Sequence, residues 1–330
     1  MRVLITGGAG YIGSLLTGVL LHRGYSVVVV DDLLFGGDSL LAYLSHPEFS
    51  FRKANVTERE EIEPFFKGID HVIHLAALVG FPACQQVGPQ IAWLYNLQGT
   101  KNVFDLAREN KVKRFVFSST YSNYGVAEGN APVTEESALN PQSLYAETKI
   151  AAERYLLEEG KRSDTIPILF RFATLFGLSP RTRFDLIINQ FVLEAIEKRH
   201  LIVYQKNFNR SFVHIRDIAK ALTMALELEV DKVGNQIFNA GSNSGNYTKV
   251  ELIEIIRKVV PALTIEYKDL TFGGDMRDIR VSFDKIERVL GYKADVSVEE
   301  GINELAEAIQ SRFLYDPHSQ RNRNAQFIVQ

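Results

Sequence analysis

Several things are scarce in this 330-residue chain, and each scarcity removes a class of protein. A single cysteine, Cys84, excludes an internal disulfide and fits a reducing compartment. No apolar run approaches the roughly 20 residues needed to cross a bilayer, so no membrane partner is expected. Neither sign of charge dominates: 37 Lys and Arg stand against 40 Asp and Glu, with basic residues spread along the chain. A nucleic-acid surface calls for a basic stripe, which is missing. Internal repeats and low-complexity tracts are absent too, and no metal is expected. Met1–Thr6 runs straight into a strand pattern, leaving no room for a cleavable leader. The expectation is a cytoplasmic globular protein, whose 46% hydrophobic content is ordinary for such chains.

What is present is a rhythm. Val3–Thr6, Val27–Asp31, His71–Ala76, Phe115–Ser119 and Ile168–Phe172 are short and rich in β-branched or aromatic residues. Helix-period stretches lie between them, including Ser14–Arg23, Ile91–Asn110 and Tyr145–Glu159. Strand–helix alternation with wholly apolar strands predicts an α/β fold, a doubly wound parallel sheet of the Rossmann kind. Ligands bind such sheets beyond the carboxyl ends of the strands. After about Leu175 turns and mixed elements increase, which suits a smaller carboxyl-terminal substrate-binding lobe. Residues 1–175 and 212–240 are assigned to the large lobe, 176–211 and 241–315 to the small one. Residues 316–330 lack periodicity and read as a polar tail, disordered or packed on a partner subunit.

The first strand ends in Thr6-Gly7-Gly8-Ala9-Gly10-Tyr11-Ile12-Gly13, and a helical pattern follows. Gly7, Gly10 and Gly13 supply a tight turn, close backbone approach to a pyrophosphate and close helix–strand packing. The following helix start, with Tyr11 and Ile12, offers free N–H groups and a positive dipole end. A glycine turn alone is weak, but the second strand ends at Asp31, 18 residues beyond Gly13, where a carboxylate can bond a ribose 2′-hydroxyl. That carboxylate repels a 2′-phosphate, so NAD is expected over NADP. Asp32 is the rival for the role. Asn55 with Val56, and Leu75 with Ala76 and Ala77, follow strand-like runs and are candidates for the adenosine groove. A turn asparagine and small packing residues read equally well there.

Tyr145 and Lys149 lie four apart, a spacing that stacks both on one helix face. An ammonium beside a phenol favours the phenolate and makes it a general base. Alone, such a pair reads more readily as an exposed helix pair. The strand-like run from Phe115, however, ends in Ser118-Ser119-Thr120-Tyr121-Ser122-Asn123-Tyr124-Gly125, which puts hydroxyls at the same sheet edge.

With glycine turn, acid, hydroxyl strand end and Tyr/Lys pair in this order, the chain resembles the extended short-chain dehydrogenase/reductase family over residues 1–312. Within it, the chain is similar to the NAD-dependent nucleotide-sugar epimerase/dehydratase group. The resemblance implies a catalytic set of Thr120, Tyr145 and Lys149, with Lys149 also bonding the nicotinamide ribose. It implies a nucleotide-diphosphate sugar as substrate and partner, and Asn96 with Gly99-Thr100 on a helix near the active site. The Arg210-Ser211-Phe212-Val213-His214-Ile215-Arg216-Asp217 stretch matches a family motif whose arginine contacts the substrate diphosphate, so Arg210 takes that role. Gly274-Asp275-Met276-Arg277-Asp278 nominates Arg277 for the same group. Guanidinium forks suit phosphate oxygens. Thr174 and Arg183 are candidates for sugar or phosphate contact, and Asn189 for the nucleotide. A homodimer through Ile91–Asn110 and Tyr145–Glu159 is implied as well.

Every reaction of this group begins by oxidising the sugar, usually at C4. The family's 4,6-dehydratases carry an acid pair directly after the catalytic hydroxyl, whereas this chain has Tyr121 and Ser122. Dehydration is therefore disfavoured, leaving a C4 epimerase or a 4-dehydrogenase in glycan precursor synthesis. The Ala77–Cys84 loop and the Arg171–Arg183 stretch resemble a subgroup that includes a bacterial GDP-heptose 4-dehydrogenase. Cys84 itself reads as a packed residue. A non-catalytic dinucleotide sensor on the same fold is the other alternative, and the Tyr/Lys pair argues against it.

Overall fold

The computed structural model describes residues 1–126, 131–269 and 278–324. Strand β1 (Arg2–Thr6) turns into helix α1 (Tyr11–His22), and β2 (Ser26–Asp31), β3 (Phe49–Lys53), α2 (Arg59–Ile62) and β4 (His71–His74) follow. Helices α3 (Phe81–Val87), α4 (Pro89–Trp93) and α5 (Gly99–Glu109) lead to β5 (Arg114–Thr120), α6 (Leu144–Gly160) and β6 (Ile166–Phe172). Next come β7 (Thr174–Phe176), α7 (Ile187–Lys198), β8 (His200–Tyr204), β9 (Asn209–His214), α8 (Ile215–Glu227), α9 (Val230–Val233) and β10 (Gln236–Ala240). The remainder comprises β11 (Asn246–Thr248), α10 (Lys249–Val259), β12 (Thr264–Lys268), α11 (Asp284–Leu290) and α12 (Val298–Gln310).

Seven strands form one parallel sheet in the order β10-β6-β5-β4-β1-β2-β3. Alternation along each strand sends Val3, Ile5, Val27 and Val29 to one face, Leu4, Val28 and Val30 to the other. Both faces are covered. Leu16 and Leu20 of α1 with Leu222 of α8 pack on the first, and Phe104 of α5 with Leu156 of α6 on the second. That double coverage is why these strands read as unbroken apolar runs. The winding reverses between β1 and β4, which opens a crevice at their carboxyl ends.

A smaller lobe holds the three-stranded sheet β11-β9-β7 and the pair β12-β8, around a core that includes Phe176, Ile188, Leu252 and Ile302. β9 continues through His214, so the chain rejoins the large lobe at α8. The described part of the tail, 316–324, lies against this same chain at residues 181–185.

The single helix expected over 91–110 is divided. α4 and α5 are joined by a wide turn at Leu94–Gln98 with the hydrogen-bond span of a π-helix. The extra residue aims the buried Asn96 at Leu78, as such bulges often do beside functional sites. Gly99 then packs on Val56, where an added Cβ would come within 2.9 Å of the valine side chain.

α6 begins at Ser143, whose hydroxyl accepts from the Ala146 amide. It is pinned from below by an ion pair that sequence reading did not identify. Glu153 meets Arg171 of β6 at 2.6 Å, both side chains 3% exposed. Glu153 also accepts from Ser119 (2.5 Å) and Asn123 (2.9 Å). Removing one partner of a buried pair leaves the other charge uncompensated, at a cost of about 3–5 kcal/mol. Glu153→Ala is accordingly expected to lower the unfolding free energy by about that amount in chemical denaturation. A loss under about 1 kcal/mol would show that the pair does not anchor the helix.

Candidate active site

The crevice is a groove of about 540 Å3, within the range of ligand-binding cavities. It is lined by residues from the carboxyl ends of β1, β2, β4, β5 and β6 and by the first residues of α6. At one end stands the glycine turn. Gly7 has φ of +73°, and a Cβ there would lie 2.6 Å from the Ala76 nitrogen, so only glycine fits. A Cβ on Gly13 would lie 2.4 Å from the Gly7 carbonyl oxygen, which is why α1 can approach the strand so closely. α1 starts at Gly10 with no side-chain cap and no acid in its first turn. Its leading N–H groups therefore suit an anion. Tyr11 and Ile12 line the groove as well, though the Tyr11 hydroxyl is turned away to donate to the Gly177 carbonyl at 2.7 Å.

Asp31 and Asp32 both line the groove but differ in their surroundings. Asp31 accepts from the Ala9 amide (2.9 Å) and the Leu33 amide (2.8 Å), tying the glycine turn to the end of β2. Burial raises its pKa, and those two amides oppose the rise. Each carboxylate oxygen retains a lone pair for a further donor. Asp32 accepts from the Leu34 amide, at 3.2 Å, on the loop beyond. Asn55, Val56, Leu75, Ala76 and Ala77 form the adjoining wall. The Asn55 amide group donates to Tyr95, another lining residue, at 3.0 Å. An uncapped helix start, a glycine cradle and an inward acid fit a dinucleotide, with the residues that hold it drawn from this set.

At the other end Thr120, Tyr145 and Lys149 line one surface. β5 delivers Thr120 at its last residue, and α6 delivers the other two on one face. The Thr120 hydroxyl donates to Ser122 Oγ at 3.0 Å and accepts from the Ser122 amide. Lys149 donates to the Ser118 carbonyl at 2.8 Å and lies 4.6 Å from the Phe117 ring centre. Burial pushes its ammonium down to about 8, against the pull of Cys84 and Glu153. Tyr121 joins Thr174 through their hydroxyls at 2.9 Å, and both line the groove.

The remaining candidates are distributed unevenly. Asn96 is fully buried behind the groove and bonds Leu78 and Thr148, so it connects the β4 loop to α6. Arg183 lines the groove with its guanidinium forked onto Asp185 at 2.8 and 3.0 Å. Asn189 is buried and spans Gly177 and the Arg183 carbonyl, holding that loop in shape. Arg210 sits on β9, 3% exposed, and is not part of the described groove lining. Arg277 lies outside the described residues. Cys84 is fully buried, and burial pushes its thiol up to about 11, which suits packing rather than nucleophilic chemistry. Sequence reading missed Phe35, Tyr95, Gln142, Arg181, Leu186 and Asn324 as groove residues. Of these, Tyr95 and Arg181 sat in stretches already singled out.

The fold and groove define a dinucleotide-binding α/β protein. Residues 3–241 match the model of the NAD dependent epimerase/dehydratase family, and the chain belongs to that family. It is an enzyme family, and its cofactor is NAD. The chain is 30% identical to a UDP-glucuronic acid decarboxylase of Arabidopsis thaliana over 95% of its own length and 71% of the relative's. It is 30% identical to an uncharacterised UDP-glucose epimerase of Bacillus subtilis, covering 93% and 97%. Among solved structures, UDP-glucose 4-epimerase of Thermotoga maritima with UDP-glucose superposes with a TM-score of 0.83 at 25% identity, covering 95% of this chain and all of the other.

Asp31→Ala is expected to weaken NAD binding about tenfold or more in calorimetry and to narrow the preference over NADP. Unchanged affinity and selectivity transfer the role to Asp32.

Proposed function

We propose that the protein oxidises a nucleotide-diphosphate sugar at C4 to a 4-keto sugar, acting either as an epimerase or as a 4-dehydrogenase. The observation that carries this reading is the meeting of Thr120, Tyr145 and Lys149 in the groove that also contains the glycine turn. NAD, which the glycine turn and Asp31 would hold, would supply the hydride acceptor for C4. Tyr145 takes the proton of the C4 hydroxyl, Lys149 supplies the positive charge that favours the phenolate, and Thr120 orients the reacting oxygen. Hydride and proton leaving together turn the C–OH into C=O. Returning the hydride to the opposite face inverts C4, whereas releasing the ketone completes a dehydrogenation. Among the described lining residues the only carboxylates are Asp31 and Asp32, at the adenosine end. Loss of water across C5–C6 needs an acid and a base beside the sugar, so dehydration is disfavoured.

Arg183, Arg210 and Arg277, with Asn189 and Thr174, are proposed for the sugar and its diphosphate, with Asn96 positioning the β4 loop. We also infer a homodimer, since Val87, Ile91 and Leu94 leave apolar side chains exposed on α3, α4 and the wide turn.

Incubation with UDP-, GDP-, CDP- and dTDP-sugars, UDP-glucuronic acid included, tests the reading. C4-inverted product without net NADH identifies an epimerase, and a ketone with equimolar NADH a dehydrogenase. Oxidised UDP-glucuronic acid would be a β-keto acid, so release of CO2 would point instead to decarboxylation. No turnover of any sugar overturns the proposal. Tyr145→Phe is expected to cut turnover by about 100- to 10,000-fold while NAD still binds. Surviving turnover excludes Tyr145 as the base. Lys149 is cationic below about pH 8 and loses its charge as pH rises through that value. The free enzyme's kcat/KM should thus fall on the alkaline side, and Lys149→Met should flatten that limb. An alkaline limb unchanged in the variant belongs to another group.

A further inference from the structure

The described end of the chain runs over the adenosine half of the groove. Arg181 Nε donates to the Arg321 carbonyl (2.9 Å), and its Nη2 donates to the Asn324 side-chain oxygen (2.9 Å). The Asn324 amide donates to Asp185 (2.9 Å), and the Phe184 amide to the Asn322 carbonyl (2.8 Å). On the other side Arg321 pairs with Asp38, just beyond the Phe35–Gly37 loop that follows β2. Further out, His318 meets Glu197 of α7 at 2.8 Å. The segment therefore bonds both the small lobe, at 181–185, and the large lobe, at Asp38. Asn324 itself lines the groove together with Arg181, Phe35, Asp31 and Asp32.

Arg181 is the unusual member. It is 7% exposed and lies 4.0 Å from the centre of the Phe35 ring. Asp185, the nearest acid in sequence, is already held by both arms of Arg183. Among the described residues no carboxylate comes within ion-pairing distance of Arg181, although Asp31 and Asp185 both act on it electrostatically. A buried guanidinium without a paired anion is costly, and burial pushes its pKa down to about 10. It lines the groove that holds the glycine turn, where the diphosphate of a dinucleotide would supply a negative charge.

We propose that residues 316–324 complete the cofactor site: they hold Arg181 over the adenosine half of the groove and add Asn324 to its wall, so that the dinucleotide stays bound between turnovers. A tail bonded to both lobes has to be undone before the adenosine end can open. Retention then resides chiefly in the dissociation rate, the usual place where related sites differ. The inference rests on the NAD cofactor and not on which sugar reaction follows.

Release of NADH from the full-length protein, chased by excess NAD and followed by nucleotide fluorescence, is the test. The parent protein is expected to carry nucleotide through gel filtration. Arg321→Ala with Asn324→Ala should release NADH about tenfold faster or more, as should Arg181→Lys, with melting temperature and circular dichroism of the double variant unchanged. Arg321 and Asp38 are exposed, so Arg321→Ala alone retains a folded protein if the others do not. Hydrogen exchange gives a second readout, in which bound NADH should slow exchange across 316–324. A parent protein that loses its nucleotide on the column, or variants that release NADH within about twofold of the parent, overturns the proposal.

Discussion

The buried pair of Glu153 and Arg171 is the contact on which the rest of the site depends. Glu153 lies one helical turn beyond Lys149 and two beyond Tyr145, so fixing it sets the rotation and height of the helix that carries both. The same carboxylate bonds Ser119 and Asn123, on either side of Thr120 and its turn. Arg171 reaches on to the Tyr124 hydroxyl, which donates to Asn239 of β10. Three strands and one helix thus meet at two opposite charges out of contact with water. Such a network is satisfied as a unit, and one missing member leaves the opposite charge without its partner.

Above that anchor the groove has a polarity of its own. At one end are an uncapped helix start, the glycine turn and two aspartates, which are suited to phosphates and a ribose. At the other, hydroxyls, a phenol and a buried ammonium stand without a carboxylate in the described lining. The order of strands in the sheet produces this arrangement. The sheet is extended in opposite directions from the paired strands β1 and β4, and the residues following each strand face the opening between their connections. The small lobe enters through Tyr121–Thr174 and through Tyr11, whose hydroxyl ties the glycine turn to Gly177. Glycine turn and small lobe are therefore physically continuous.

Much of this was legible in the sequence because it is local. The glycine turn, Asp31 at the end of an apolar strand, and Tyr145 four residues before Lys149 each depend on spacings set by strand and helix geometry. Two readings fell short for non-local reasons. The helix expected over 91–110 is interrupted because Asn96 must reach Leu78 and Thr148, partners far away in sequence. The tail at 316–324 has no periodicity because side chains at 181–185 and 38, not a packed face of its own, hold it in place.

The parallel sheet, the glycine turn and the residues at the strand ends were written in the sequence, since buried strands and glycine turns place their constraints in consecutive residues. Only the packing of distant segments decided that Asp31 is tied to the glycine turn through Ala9, and that Arg181 and Asn324 wall the groove. Those facts depend on desolvation and on partners brought together from distant segments, and no local spacing encodes which charge will end up buried beside which.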